Sequence, residues 1–401
     1  MSLNQTPRAN RLHIAIFGKR NAGKSSLINA LTGQQIALVS EHAGTTTDPV
    51  FKSMELHPVG PVVFIDTAGF DDEGELGELR VQKTREVIDK TDVAIMIFDG
   101  NDFSHEEQWL EMLKEAKIPV IPVVGKADID ACSALGKIGF VKQQLDVEPL
   151  LISAKSGVGL EAVRKAIEEA VPEDYKRRRI LDDLVDEGEL VVLVMPQDIQ
   201  APKGRLILPQ VQTIRELLDN KCTTVCTTAD KFTNTLAYLA KAPELIITDS
   251  QCFKQIFAEK PAESRLTSFS VLFAAYKGDI NIFAEGAAAI DALTESSRVL
   301  IAEACTHAPL EEDIGRVKIP AALRKKVGPG LTVDMVAGND FPEDPSGYDL
   351  IIHCGACMFN RAHVMSRIRK AQEAGVPITN YGVTMAKMLG ILDKIEMPDP
   401  R

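Results

Sequence analysis

Between residues 13 and 171 the chain alternates short apolar runs with longer stretches of helical periodicity. The runs fall at 13–17, 62–65, 93–98, 120–124 and 150–152. Runs this short and this uniformly apolar suit strands buried on both faces. Strands that alternate with helices build a mainly parallel sheet covered on both sides. Residues 1–11 are polar and read as a tail. Pro172 follows the last helical stretch, and charged chain runs on to Glu189. This places a first domain at 12–172 and a linker at 173–182.

Beyond the linker the alternation restarts, with runs at 190–194, 223–225, 245–247, 269–273, 299–301, 332–336 and 350–352, all expected to be strands. GRLILP at 204–209 recurs as GRVKIP at 315–320, and LII at 245–247 recurs as LII at 350–352. A repeat of that length points to two related α/β modules rather than a solenoid. They are placed at 183–265 and 266–401. The expected fold class is therefore α/β: one N-terminal domain, then two smaller α/β modules with mainly parallel sheets.

The first domain carries specific chemistry. Gly18-Lys19-Arg20-Asn21-Ala22-Gly23-Lys24-Ser25 fits GxxxxGK[ST] between a strand and a helix, which makes residues 12–172 a P-loop domain. Glycines let backbone N–H groups curl around phosphates, and the helix dipole adds positive potential. Ser26 continues the helix start. Lys24 is expected on the β- and γ-phosphates and Ser25 on Mg²⁺. Asp66-Thr67-Ala68-Gly69 follows the second run: a strand-end carboxylate can hold Mg²⁺ through water, and the Gly69 amide can meet the γ-phosphate. Between them, Thr45 and Thr46 of GTTTD offer hydroxyls from a loop that orders with the γ-phosphate. Lys126-Ala127-Asp128 follows the fourth run, where Asp128 would accept the guanine N1–H and N2–H₂ edge that adenine lacks. Ser153-Ala154-Lys155 would close over the base.

At these residues the chain resembles the translation-factor-related GTPases of the TrmE–Era branch. The resemblance implies GTP as ligand and hydrolysis as reaction. It also implies a K⁺ ion beside Asn21, making Lys24, Asn21 and Thr46 the expected catalytic set. The base motif departs from the family's NKxD, because Gly125 stands where Asn bonds guanine N7 and braces the P-loop. Phe70 stands where Ras-like relatives place a water-orienting Gln.

Charge narrows the partners. The net charge of −12 lacks the footprint of a nucleic-acid binder, and the basic run Lys176-Arg177-Arg178-Arg179 is short and flanked by acids. No apolar segment reaches membrane-spanning length, and the N-terminal residues have no signal-peptide core. A cytoplasmic protein with no membrane and no nucleic-acid partner is expected. Its seven cysteines are then thiols or metal ligands rather than disulfides. Cys132, Cys222, Cys226 and Cys252 read as ordinary residues.

Three cysteines stand apart. Cys305 follows one run in ACTH, and Cys354 and Cys357 follow another in HCGAC. Each group lies just past the C-terminal end of an expected strand, the sheet edge where ligand sites gather, and Gly355 is expected to permit a tight CxxC turn. Three thiolates suit a 4Fe–4S cluster with one iron left open; a redox pair, or zinc in a Cys₃His set, remains an alternative. The spacing Cys305-x-His307 … His353-Cys354-x-x-Cys357 resembles the HydF family of FeFe-hydrogenase maturation GTPases, and the order of domains agrees along the whole chain. That resemblance implies a GTPase domain at 12–172, a dimerisation domain at 183–265 and a 4Fe–4S domain at 266–401. It implies a cluster on Cys305, Cys354 and Cys357, with His307, His353, Glu311, Glu312 or water at the fourth iron. It further implies a 2Fe precursor as cargo, apo-hydrogenase and the radical-SAM maturases HydE and HydG as partners, and a homodimer. The rival reading is an RNA-directed GTPase of tRNA or ribosome maturation, as elsewhere in the TrmE–Era branch.

Overall fold

A computed structural model describes residues 7–33, 49–71, 75–100, 102–129, 131–173, 175, 179–196, 206–304 and 314–398. The chain divides into two units, Met1–Arg177 and Arg178–Arg401.

In the first unit β1 (Leu12–Gly18), β2 (Val50–Leu56), β3 (Gly60–Asp66), β4 (Val93–Phe98), β5 (Val120–Val124) and β6 (Leu150–Leu151) form one sheet in the order β2-β3-β1-β4-β5-β6. All neighbours are parallel except β2 with β3. The five apolar runs are five of these strands. Helices α1 (Lys24–Thr32), α2 (Glu75–Ile88), α3 (Ser104–Glu115), α4 (Ala131–Leu145) and α5 (Leu160–Ala170) follow β1, β3, β4, β5 and β6. One core lies around Ile14, Ile16, Leu27, Phe64 and Ile167. The other lies around Phe17, Ile65, Met96 and Trp109. Alternate residues of β1 feed opposite cores, which is why the strand is apolar throughout.

The second unit has two four-stranded sheets. The first is built from β7 (Leu190–Val194), β8 (Thr223–Thr227), β9 (Leu245–Thr248) and β10 (Arg265–Ser268); the second from β11 (Arg298–Glu303), β12 (Thr332–Ala337), β13 (Leu350–His353) and β14 (Ile378–Asn380). Their orders are β8-β7-β9-β10 and β12-β11-β13-β14, all parallel. The two sheets share one strand order, which agrees with two related modules. Helices α6 (Leu208–Asp219), α7 (Phe232–Ala237), α8 (Phe253–Glu259) and α9 (Phe269–Lys277) accompany the first sheet; α10 (Ile280–Gly286) packs on β14, and with α11 (Ile319–Val327), α12 (Arg361–Glu373) and α13 (Tyr381–Met388) it accompanies the second.

The run 269–273, expected as a strand, is the start of α9. Ser268 caps it by accepting the Val271 N–H, and Phe269, Val271, Leu272, Phe273 and Ala274 are all buried. A helix buried on nearly every side shows no apolar period, so a short run of this kind reads the same as a buried strand. α9 packs against α12 and α13, and one apolar core runs from Ile246 through Phe283 to Ile352. Ile180, Leu181 and Leu184 are buried beside β7, and the Glu216 carboxylate accepts the N–H groups of Ile180 and Leu181, each at 2.8 Å. The second unit thus takes in the end of the stretch read as linker. Among the described residues no helix is long and apolar enough to cross a membrane.

Candidate functional site

The P-loop leaves β1 at Gly18 and enters α1 at Lys24. Asn21 and Gly23 take left-handed backbone angles of +60° and +99°, the curl that turns N–H groups inward. Lys24 is buried, and its ammonium donates to the carbonyls of Gly18 (2.8 Å) and Lys19 (2.7 Å). The loop thus carries a cation tethered at its centre, where a phosphate would sit. Ala22 is buried, Ser26 sits in the first turn of α1, and the Asn21 side chain is exposed.

Ser25 Oγ donates to Asp66 Oδ2 at 2.6 Å. Burial holds the Asp66 carboxyl above the usual carboxylate range, with Ser25, Lys24 and Lys52 pulling it back. A hydroxyl and a carboxylate on one spot form an oxygen donor set that fits Mg²⁺. Thr67 Oγ1 bonds the Ile16 carbonyl at 2.6 Å and fixes the following turn. A Cβ on Gly69 would stand 2.7 Å from the Arg20 nitrogen, so only glycine fits there against the P-loop. Phe70 is buried and stacked on Trp109 at 5.6 Å, so it belongs to the core and not to a water-positioning device.

At the base end, Asp128 Oδ1 accepts from the Ser153 hydroxyl at 2.7 Å, and this bond keeps the exposed Asp128 ionised. Ala127 N–H bonds the Ile152 carbonyl at 3.1 Å, joining the two base loops; Ala154 and Lys155 follow in the turn. Lys126 has φ +61° and its ammonium meets Asp99 at 2.6 Å. Asp99 was not anticipated, although its place just past β4, beside the base-motif strand, was a usable signal. A Cβ on Gly125 would lie 3.5 Å from the Ala22 carbonyl, so a side chain there would reach the P-loop. On the opposite flank, Lys19 pairs with the buried Glu106 of α3 at 3.3 Å. Burial pushes the Glu106 carboxyl up to about 7. Thr45 and Thr46 lie outside the described residues.

In the second unit, Cys354 and Cys357 follow β13. Cys354 Sγ accepts the N–H groups of Ala304 (3.1 Å) and Ala356 (3.4 Å). Ala304 follows β11 and directly precedes Cys305, so two strand ends meet at this sulfur. The left-handed residue of the CxxC turn is Ala356 at φ +50°, not Gly355, a conformation that costs a non-glycine residue about 1–2 kcal/mol. Burial pushes the Cys354 thiol up to about 11. A half-buried sulfur that accepts backbone N–H groups is a donor suited to a thiolate-bound metal or cluster. Among the described residues no three His, Cys, Asp or Glu side chains gather for a metal; Cys305, His307, Glu311 and Glu312 lie outside them.

His353 is fully buried. Arg367 donates to its Nε2 at 3.0 Å, which leaves Nδ1 to carry the proton and donate to the Cys354 carbonyl at 2.8 Å. Burial and the Arg367 charge push His353 down to about 3, so it is neutral with both nitrogens engaged. Arg367 also donates to the carbonyls of Glu303 and Gly338, stitching the ends of β11, β12 and β13. In the equivalent loop after β9, Asp249 replaces Cys354 and accepts the Gln251 N–H.

Three family models match the chain. Residues 281–397 match the hydrogen maturase F tetramerization domain, 180–278 the hydrogen maturase F dimerization domain, and 13–126 the 50S ribosome-binding GTPase. The tRNA modification GTPase MnmE of Legionella pneumophila (strain Paris) is 30% identical over 217 residues, covering 52% of this chain and 46% of that protein. The MnmE of Desulfotalea psychrophila is 35% identical over 161 residues, 39% and 34% of the two chains. The chain thus spans about half or less of the length of these curated relatives. Among solved structures, Era in complex with MgGDPNP and 16S ribosomal RNA nucleotides is 30% identical, with a TM-score of 0.37, over 40% of this chain and 57% of that one.

Proposed function

The chain belongs to the hydrogen maturase F family and carries a GTPase domain, and on that premise we propose that it is a nucleotide-controlled carrier in FeFe-hydrogenase assembly. In this reading residues 12–172 bind and hydrolyse GTP. Lys24 meets the β- and γ-phosphates, Ser25 and Thr46 offer hydroxyls to Mg²⁺, Asn21 offers its side chain to K⁺, and Asp128 selects guanine. When bound, the two cations supply positive charge against the transferring phosphoryl group. Residues 183–265 pair two copies of the chain; the matched dimerization and tetramerization domains support self-association.

Residues 266–401 hold a 4Fe–4S cluster through Cys305, Cys354 and Cys357, leaving one iron open to a 2Fe cargo from the HydE and HydG maturases. The cargo passes to apo-hydrogenase, and GTP controls the exchange of partners. His353, with both ring nitrogens engaged, holds the Cys354 loop, which leaves His307, Glu311, Glu312 or water for the fourth iron. The observation that carries this reading is the Ala304 N–H on Cys354 Sγ, which brings the chain entering Cys305 to the CxxC loop. Hydrogen maturase F domains over 180–397 and a net charge of −12 favour it over an RNA-directed role.

The test is anaerobic reconstitution of the wild type and the Cys305→Ser, Cys354→Ser and Cys357→Ser variants. Each substitution should remove most iron and sulfide and abolish activation of apo-hydrogenase, with GTP hydrolysis retained. Full iron and an unchanged EPR spectrum in Cys354→Ser would refute the assignment.

A further inference from the structure

Lys52 lies in β2, where Val50 pairs with Asp66 and Lys52 with Phe64 of β3. Residues two apart on a strand share a face, so Lys52 and Asp66 lie on one face, a single diagonal step apart and within reach of a long side chain. Lys52 is only 7% exposed, and its ammonium has no hydrogen-bond partner among the described residues. A buried, unbonded ammonium is costly unless an opposite charge stands near. Asp66 is that charge: it supports the Lys52 cation against burial, and Lys52 in turn favours the Asp66 anion. No direct ion pair joins them among the described residues. Asp66 instead spends one oxygen on Ser25, the other half of the expected Mg²⁺ donor set.

We propose that Lys52 sets the Mg²⁺ requirement of nucleotide binding, because a resident ammonium and the entering metal compete for one half-buried carboxylate. The inference rests on the nucleotide-site reading given above. In the metal-free chain Lys52 balances the Asp66 anion and keeps the pocket assembled. When Mg²⁺ binds, the same ammonium repels it across the pocket. Two unit charges a few ångströms apart in a protein of effective dielectric about 20 interact strongly enough to change metal affinity roughly tenfold or more.

The experiment uses the full chain and a fluorescent GDP analogue, whose retention is measured as free Mg²⁺ is varied with EDTA buffers. Lys52→Met and Lys52→Gln should lower the half-saturating Mg²⁺ about tenfold, while Lys52→Arg, which keeps the charge, should leave it near the wild-type value. Melting in EDTA, followed by fluorescence of Trp109, the chain's single tryptophan, establishes that each variant folds; Lys52→Gln carries the comparison if Lys52→Met does not. An unchanged Mg²⁺ requirement overturns the proposal, and so does a raised one, which would assign the amine to phosphate instead. Wild-type protein that retains no nucleotide at saturating Mg²⁺ would sink the nucleotide-site reading itself, a distinct failure.

Discussion

Replacing Glu106 by Gln tests how strongly the first unit strains to hold a carboxylate beside its P-loop. Glu106 is buried in α3, and among the described residues Lys19 at 3.3 Å is its ion-pair partner. Burial lifts its folded-state value from 4.5 to about 7, with its own backbone N–H and then Lys19 pulling it back. In the unfolded chain the group titrates near its ordinary value. Between about pH 4.5 and 7 the folded state therefore holds a proton that the unfolded state has released, and stability falls as pH rises through this window. At about 1.4 kcal/mol per pH unit, the loss is on the order of 3 kcal/mol, complete above pH 7. Glu106→Gln keeps the shape and removes the titration. Its stability should be close to wild type at pH 4.5 and higher by up to about 3 kcal/mol at pH 8, a gain of several degrees in Tm for a unit of this size. Trp109 lies in the same helix, so its fluorescence reports the melting of this unit alone. Parallel pH–stability profiles for wild type and variant would refute the reasoning.

Other expectations follow from the same geometry. Gly125→Asn should tighten guanine-nucleotide binding about two- to tenfold, because a side chain at 125 reaches the Ala22 carbonyl and one added hydrogen bond contributes about 0.5–1.5 kcal/mol; calorimetric Kd values decide it. Asp128→Asn should turn preference from GTP toward XTP, since the acceptor for the guanine edge becomes partly a donor, and competition between the two nucleotides measures the switch. Arg367→Met should leave GTP hydrolysis unchanged but lower iron content after reconstitution, because the ends of β11, β12 and β13 lose their shared donor; iron per chain, compared with Arg367→Lys, is the readout.

Much of this protein is written in local pattern. GxxxxGKS, DTAG and the KxD base motif each sit at the end of an apolar run, and strand ends in a parallel sheet share one edge, an edge on which Ser25 bonds Asp66 and Ser153 bonds Asp128. The repeat of GRLILP and LII announced two related α/β modules for the same reason: each copy carries its own local signals. What pattern could not supply was anything settled by neighbours distant in sequence. β2 is an edge strand with polar positions and makes sense only against β3; β10 and β14 are too short to read alone. The run 269–273 became a helix because it is enclosed by α12, α13 and the core around it. Lys52 is unremarked in the chain and becomes a charge beside Asp66 only through strand register. His353 resembles a ligand by position, but the buried Arg367 of α12 takes one of its nitrogens and Cys354 the other. The sequence specifies which groups are available and which edge they reach; burial, register and the partners brought by folding decide which remain free to bind.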